Sequence, residues 1–280
     1  MPHRLRSKFE APIQKTITSG FEHALLAAAF DNLDIPGPLR FNNFSYALRE
    51  LLRHVLHRLA TNEKVRECSW FKPDKNAKGG ITRAHRATYA IQGGLSDAFV
   101  SKKLGIDIVT VRSDLLSAID VLNTHTHIEP STFAINKTDT RRLATECLET
   151  TQYFMEQIIT CRSEVAAALA DAIDQHLINH VVSETINSID ELATHHYIED
   201  IYVGDIDVID IGPQNIELKI DGTIECELQY GSGSDVRNGL GDVMSISFPL
   251  RANITVQMER PLGKVATVER FSVDTSSFYE

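Results

Sequence analysis

The residues best suited to chemistry lie in segment 43–60, where arginines and histidines alternate with apolar side chains. The apolar ones recur at helical spacing and predict one amphipathic helix: Phe44, Leu48, Leu51, Leu52, Val55, Leu56 and Leu59. Its other side carries Arg49, Glu50, Arg53, His54, His57 and Arg58. An imidazole can take the proton from a ribose 2'-hydroxyl, and a guanidinium can stabilise the charge that develops on a phosphate. The segment therefore predicts a helix face suited to phosphate-ester chemistry.

Arg49 and His54 are separated by four residues, a spacing similar to the Arg-x(4–6)-His motif of HEPN-like helical ribonucleases. That resemblance implies that Arg49 binds the scissile phosphate and that His54 is the general base or acid, with no metal and no cofactor. It also implies a homodimer, because HEPN-like enzymes form their cleft between two protomers. Arg53 and His57, one helical turn apart, are predicted to assist or replace that pair. The arginines expected to bind RNA or another nucleic acid are Arg40, Arg58, Arg83 and Arg86.

Glu50 departs from the usual motif and leaves a non-catalytic alternative open. Its carboxylate could pair with Arg53 or His54, three and four residues further on, and make the helix face a salt-bridged surface. The protein would then be a nucleic-acid-binding or adaptor subunit rather than an enzyme.

A second alternative is a Mg²⁺-dependent nuclease site in the C-terminal part of the chain. Asp207 or Asp210, followed by Glu217 and Lys219, is similar to the D…ExK arrangement, in which carboxylates hold the metal and lysine assists the attacking water. The same residues alternate with isoleucine and leucine, as in any half-exposed strand. The favoured interpretation is therefore that these residues are ordinary solvent-exposed side chains of a strand.

Other candidate metal ligands are two histidine pairs, His125 with His127 and His195 with His196. Neither pair has a third ligand at a typical spacing, so the sequence predicts structural roles and no metal site. The four cysteines are far apart and form no C-x-x-C pair, which favours reduced thiols in the cytoplasm. No apolar run approaches the roughly 20 residues that cross a bilayer, so we expect no membrane association.

Charge is distributed unevenly along the 280 residues, whose net charge is -10. Residues 1–100 contain 15 Lys and Arg against 9 Asp and Glu, whereas residues 101–280 contain 13 against 29. This polarity fits a local polyanion-binding site with a repelling remainder. The alternative is that the two halves attract each other across an interface.

Periodicity predicts an α+β fold, with a helical bundle over 1–195 and an antiparallel β domain over 196–280. The predicted helices are 9–31, one from about Asn43, one capped by Thr82 and stopped at 93–94, two short ones over 96–104 and 109–123, and two long ones over 139–194 broken near 160–163. Segment 68–80 is predicted to be an exposed loop. Alternation then predicts strands over 198–211, 215–221, 223–230, 244–259 and 265–273, the last two joined by a hairpin loop at 261–264.

Several segments resemble the bacterial family of predicted pPIWI-associating nucleases. They are Phe41–Arg58, Cys68–Pro73, Ile91–Asp97, Thr124–Ile128 and Glu227–Ser232, within a resemblance that runs from about Phe21 to Pro249. It implies a component of prokaryotic conflict systems encoded near PIWI-like genes, with a defence-system protein as partner. Together with the helix face, it leads us to expect a metal-independent endoribonuclease that acts in antiphage defence or in a toxin-like system.

Overall fold

The computed structural model describes the backbone of residues 2–279 and the side chains of residues 4–279. The chain forms two compact units, residues 1–161 and 162–280. The helices are α1 Pro2–Gln14, α2 Gly20–Asp34, α3 Arg40–Leu59, α4 Asn62–Glu67, α5 Arg83–Gln92, α6 Asp97–Lys103, α7 Ile108–Thr126, α8 Lys137–Ser183, α9 Asn187–Asp190 and α10 Gly233–Arg237. The strands are β1 His195–Ile211, β2 Asn215–Tyr230, β3 Asp242–Gln257 and β4 Ala266–Val273. The predicted α+β class is confirmed.

Helix α3 lies against α2 and α7 in the N-terminal unit. Six residues of its predicted apolar stripe are at most 2% exposed: Phe44, Leu48, Leu51, Leu52, Val55 and Leu56. Burial of each such side chain stabilises the fold by about 1.5–3 kcal/mol. The helix starts at Arg40, three residues before the predicted start.

The single helix predicted over 9–31 is wrong, because the chain forms α1 and α2 instead. Between them lie Thr16, Ile17 and Thr18, whose β-branched side chains favour helix less than their neighbours do. Ser19 then caps α2 by accepting a hydrogen bond from the Glu22 amide (3.1 Å).

The predicted boundaries around α5 and α6 are confirmed. Thr82 caps α5 in a reciprocal capping box with His85. Gly93 ends the helix with φ +57°, which is unfavourable for residues with a side chain. Segment 68–80 is a loop, but Trp70 is half-buried because its Nε1 donates to the Gly93 carbonyl (2.9 Å).

Helix α8 is continuous, so the predicted break near 160–163 is wrong. That segment contains neither glycine nor proline, and the buried stripe continues through it at helical spacing, with Cys161, Val165, Leu169 and Ile173 at most 1% exposed. The boundary between the compact units falls at the same place, between Cys161 and Arg162.

The C-terminal unit contains an antiparallel sheet in the order β1-β2-β3-β4. Strand β2 replaces two predicted segments, because Gly222 is a site of close approach rather than a turn. A Cβ at this position would collide with the Tyr202 carbonyl oxygen of β1. The predicted last hairpin is confirmed, and the Gln257 amide donates to the Val265 carbonyl at its neck (2.9 Å).

One face of the sheet packs on the end of α8 and on α9. The buried cluster joins Val181, Ile186, Ile189 and Leu192 to sheet residues Ile224, Cys226, Leu228, Phe248 and Leu250. This packing explains why the compact unit begins at Arg162, although the change from helix to strand occurs at His195. Within residues 2–279, no helix is both long and apolar enough to cross a bilayer.

Candidate active site

Helices α3, α5 and α7 of the N-terminal unit surround a pocket of about 330 Å³, here called the arginine pocket. Its lining residues are Arg49, Glu50, Arg53, Leu56, His57, Arg83, Arg86 and Ile119. Four guanidinium groups and one imidazole thus share the pocket with one carboxylate.

The spacing along α3 decides which side chains reach this pocket. Arg49, Arg53 and His57 are four residues apart in succession, so the helix presents them on one face. His54 follows Arg53 by one residue, about 100° further around the helix. It is not among the residues that line the pocket.

Glu50 fixes the positions of two arginines. Arg49 Nη2 donates to one of its carboxylate oxygens (2.9 Å) and Arg53 Nε to the other (2.7 Å). Arg49 Nη1 also donates to Thr126 Oγ1 at the end of α7 (3.1 Å). Burial works to raise the pKa of Glu50, but the hydrogen bonds from Arg53 and Arg49 outweigh it and lower the pKa. Glu50 is therefore an anion that orders the pocket.

Helix α5 contributes Arg83 and Arg86 from its first turn, where Thr82 begins the helix. Arg86 is 9% exposed, and it donates to the Ala60 carbonyl and, at 2.6 Å, to Asn62 Oδ1. Burial lowers the pKa of Arg86. Arg83 is exposed and donates to no acceptor among the described residues. The pocket therefore contains one deep and one exposed guanidinium from the same helix.

His57 is the imidazole that faces these arginines. Burial, followed by the positive charges of Arg86 and Arg53, lowers its pKa below the ordinary 6.5. Neither ring nitrogen has a hydrogen-bond partner within residues 4–279. His57 is exposed, and the lowered pKa favours the neutral imidazole, which can accept a proton.

His54 has a different environment. Its Nε2 accepts a hydrogen bond from Arg53 Nη2 (2.9 Å), and its ring meets the edge of Phe21 of α2, with centroids 4.9 Å apart. The structure therefore brings Arg49, Arg53 and His57 to one pocket and leaves His54 beside it. The catalytic roles of all four residues stay predictions.

The arginines predicted to bind nucleic acid are divided between different environments. Arg83 and Arg86 line the arginine pocket. Arg58 donates from Nε (2.9 Å) and Nη2 (3.0 Å) to the carboxylate of Glu22, which is 2% exposed. This ion pair connects α3 to α2. Arg40 lines a separate pocket of about 180 Å³ near the start of α8, and its Nε donates to the Ile35 carbonyl (2.9 Å).

The D…ExK residues lie on the exposed face of the sheet. Asp207 is opposite Lys219, and Asp210 is opposite Glu217, in the pairing of β1 with β2. Lys219 Nζ donates to Asp221 Oδ2 (2.7 Å). Among residues 4–279, no three His, Cys, Asp or Glu side chains gather in a way that could hold a metal ion.

One histidine of each predicted pair contacts another group of the protein. His125 Nδ1 lies 2.8 Å from the Val121 carbonyl, and His196 Nδ1 lies 2.9 Å from Asp190 Oδ1. Strand β1 begins at His195, three residues before the predicted start at residue 198, and the long helix α8 ends at Ser183 rather than near residue 194.

Sequence reasoning missed the residues that hold the arginines in place. Arg49 donates to Thr126, which is 77 residues away in sequence. Arg86 donates to the Ala60 carbonyl and to Asn62, which are 26 and 24 residues away. Nothing in the sequence indicates these contacts. The regular spacing of Arg49, Arg53 and His57 would have indicated the shared face.

Two family models match the chain, one over residues 14–151 and the other over residues 158–279, and both are described as predicted pPIWI-associating nuclease. The chain belongs to this family. The family resemblance expected from the sequence is therefore confirmed, and the family description supports a nuclease. The two matches divide within α8, near the boundary between the compact units. Neither the curated proteins nor the solved structures gave a match.

Proposed function

We propose that this nuclease is a metal-independent endoribonuclease whose arginine pocket holds the scissile phosphate and whose His57 transfers the proton. The main support is the charge of the pocket, which is lined by four arginines and by Glu50 as its one carboxylate. Like charges confined in a partly desolvated site repel each other, and a bound phosphodiester relieves that repulsion. The depth of Arg86 adds to this argument, because a buried cation is costly and the acceptors that its guanidinium contacts, the Ala60 carbonyl and Asn62 Oδ1, are neutral.

In the proposed reaction, the neutral imidazole of His57 removes the proton from a ribose 2'-hydroxyl, and the 2'-oxygen attacks the adjacent phosphorus. The bond from phosphorus to the 5'-oxygen breaks, and the imidazolium returns the proton to that oxygen. The products end in a 2',3'-cyclic phosphate and a 5'-hydroxyl. Arg49, Arg53 and Arg83 stabilise the charge on the phosphate oxygens during attack.

This chemistry is the reason for proposing RNA as the substrate. The nucleophile belongs to the substrate itself, so a 2'-deoxy strand binds but is not cut. His57 replaces the predicted His54 as base in this proposal, because the Nε2 lone pair of His54 already accepts a hydrogen bond from Arg53.

The test compares cleavage of labelled single-stranded RNA by the wild type, His57→Ala and His54→Ala, each with and without EDTA. We expect cleavage in EDTA, a loss of about 10²–10⁴-fold in His57→Ala, and a much smaller loss in His54→Ala. If EDTA abolishes cleavage and His57→Ala remains active, the Mg²⁺-dependent alternative is correct. Salt-sensitive RNA binding without any product supports the adaptor alternative.

The biological setting is also a proposal. The family description supports an association with a pPIWI protein, and the HEPN-like spacing of Arg49 and His54 supports a homodimer. The protein would act in the cytoplasm, in antiphage defence or as a toxin-like component. We expect protection against phage in plaque assays to be lost with His57→Ala if cleavage is the protective step.

A further inference from the structure

The loop between α4 and α5, residues 68–82, presents three exposed lysines, and it is here called the lysine loop. They are Lys72, Lys75 and Lys78, and within residues 4–279 none of them takes part in an ion pair or a hydrogen bond. The loop's one carboxylate, on Asp74, is half-buried and accepts a hydrogen bond from the Asn76 amide (2.8 Å). The outward surface of the loop is therefore cationic.

Several contacts fix the loop in place. Trp70 Nε1 donates to the Gly93 carbonyl (2.9 Å), and the Phe71 ring meets the His85 ring edge-on at 5.0 Å between centroids. The Asp74 amide donates to the Gly80 carbonyl (2.9 Å), which closes the loop on itself. Because the backbone is already ordered, a ligand that binds the lysines orders only their side chains.

The lysine loop leads directly into the arginine pocket. It ends at Thr82, the cap of α5, and the next residue is Arg83, which lines the pocket and is exposed. His85, which the loop contacts through Phe71, lies between Arg83 and Arg86 in the same first turn. Along the chain, the exposed lysines of the loop are therefore followed directly by the arginines that line the pocket.

We propose that the lysine loop binds the sugar-phosphate backbone of a single-stranded nucleic acid while one of its phosphates occupies the arginine pocket. This inference rests on the proposed function for the identity of the polymer. Arg86 is 9% exposed, so a phosphate has to leave the surface contour of its polymer to reach it. A single strand bends in this way, whereas a regular duplex keeps its phosphates on a stiff outer surface.

The test uses fluorescence anisotropy with two uncleavable probes. One is a 2'-O-methyl oligouridine long enough to extend beyond the pocket, and the other is a 2'-O-methyl uridine dinucleotide. The variant K72Q/K75Q/K78Q removes the loop charges. The matched control K15Q/K102Q/K103Q removes three other exposed lysines and changes the net charge by the same amount. Lys15 lies between α1 and α2, and Lys102 and Lys103 are the last residues of α6.

We expect the loop variant to bind the long probe at least about 10-fold more weakly. A plot of the logarithm of its association constant against the logarithm of salt concentration should be less steep by up to about 2. Its affinity for the dinucleotide should stay unchanged, and the control should behave as the wild type with both probes. Unfolding curves that match the wild type establish that each variant is folded.

Three results overturn the inference: equal weakening by the loop variant and the control, equal weakening for both probes, or tighter binding of a duplex than of the single strand. Because the probes cannot be cut, these results do not depend on catalysis. If the wild type cleaves no RNA but the loop variant loses affinity as expected, the proposed ribonuclease fails and the binding surface remains. If His57→Ala abolishes cleavage but the loop variant binds normally, only the inference about the loop fails.

Discussion

The arginine pocket of the N-terminal unit and the exposed face of the C-terminal sheet both contain residue sets that are typical of nucleases. In the pocket, Arg86 is 9% exposed, and burial together with neighbouring charge lowers the pKa of His57. On the sheet, the Asp221 carboxylate accepts hydrogen bonds from Lys219 (2.7 Å) and Arg251 (3.1 Å), both of which are exposed to water. Water screens the second set and only partly screens the first.

The comparison teaches that residue type alone does not distinguish a site from a surface. Asp207, Glu217 and Lys219 match a catalytic pattern, but strand alternation places them among other solvated side chains. His57 matches no family pattern, yet the structure places it in a pocket lined by four arginines. Convergence and partial burial are what give a group unusual chemistry.

The largest expected effect separates the two regions by activity. His57→Ala should reduce RNA cleavage by about 10²–10⁴-fold, because the reaction loses its general base. Asp207→Asn, on the sheet, should leave the rate unchanged. The measurement compares initial rates of cleavage of a labelled RNA by the two variants. Unfolding curves establish that both variants are folded. The opposite pattern would reverse the assignment of the active region.

The next effect compares a buried ion pair with an exposed one. Glu22→Gln leaves the partly buried Arg58 guanidinium without its counter-charge, and the free energy of unfolding should fall by about 2 kcal/mol. Asp221→Asn removes an exposed pair and should cause no measurable change. Urea unfolding measures both variants. Equal losses would contradict the claim that solvent screening separates a buried ion pair from an exposed one.

A smaller effect tests Glu50 as a positioning residue. Glu50→Gln keeps the side chain's size but loses the charge that holds Arg49 and Arg53, so the rate should fall by about 10-fold. Unlike loss of His57, this change should raise KM as well, because two phosphate-binding arginines become mobile. The control is Glu217→Gln on the sheet, for which kcat and KM should match the wild type.

The smallest effect is a shift in pH dependence. Since the pKa of His57 lies below 6.5, the unfolded chain takes up this proton before the folded protein does. His57 therefore lowers the free energy of unfolding as pH falls below 6.5, and it has no effect on stability above that pH. NMR titration should give a His57 midpoint below 6.5, and the acid limb of the rate profile should follow it. A midpoint at or above 6.5 would contradict the proposed environment.

Sequence patterns predicted local elements well where one signal controls the backbone. The amphipathic stripe of α3, the Thr82 cap and the stop at Gly93 depend on neighbouring residues, and all three are present. The patterns failed where two interpretations fit the same residues. Thr16–Ser19 separates two helices, segment 160–163 does not, and Gly222 lies within a strand because β1 approaches it closely.

By itself, the sequence determined the α+β class with helices before strands, the cationic N-terminal region, and the helix that contains Arg49, Arg53, His54 and His57. Periodicity and charge are properties of the chain, so they can be read without coordinates. Only the tertiary structure decided which imidazole shares a pocket with which arginines. That choice depends on α5 and α7 packing against one side of α3, which places Arg86 near His57 and leaves His54 against Phe21.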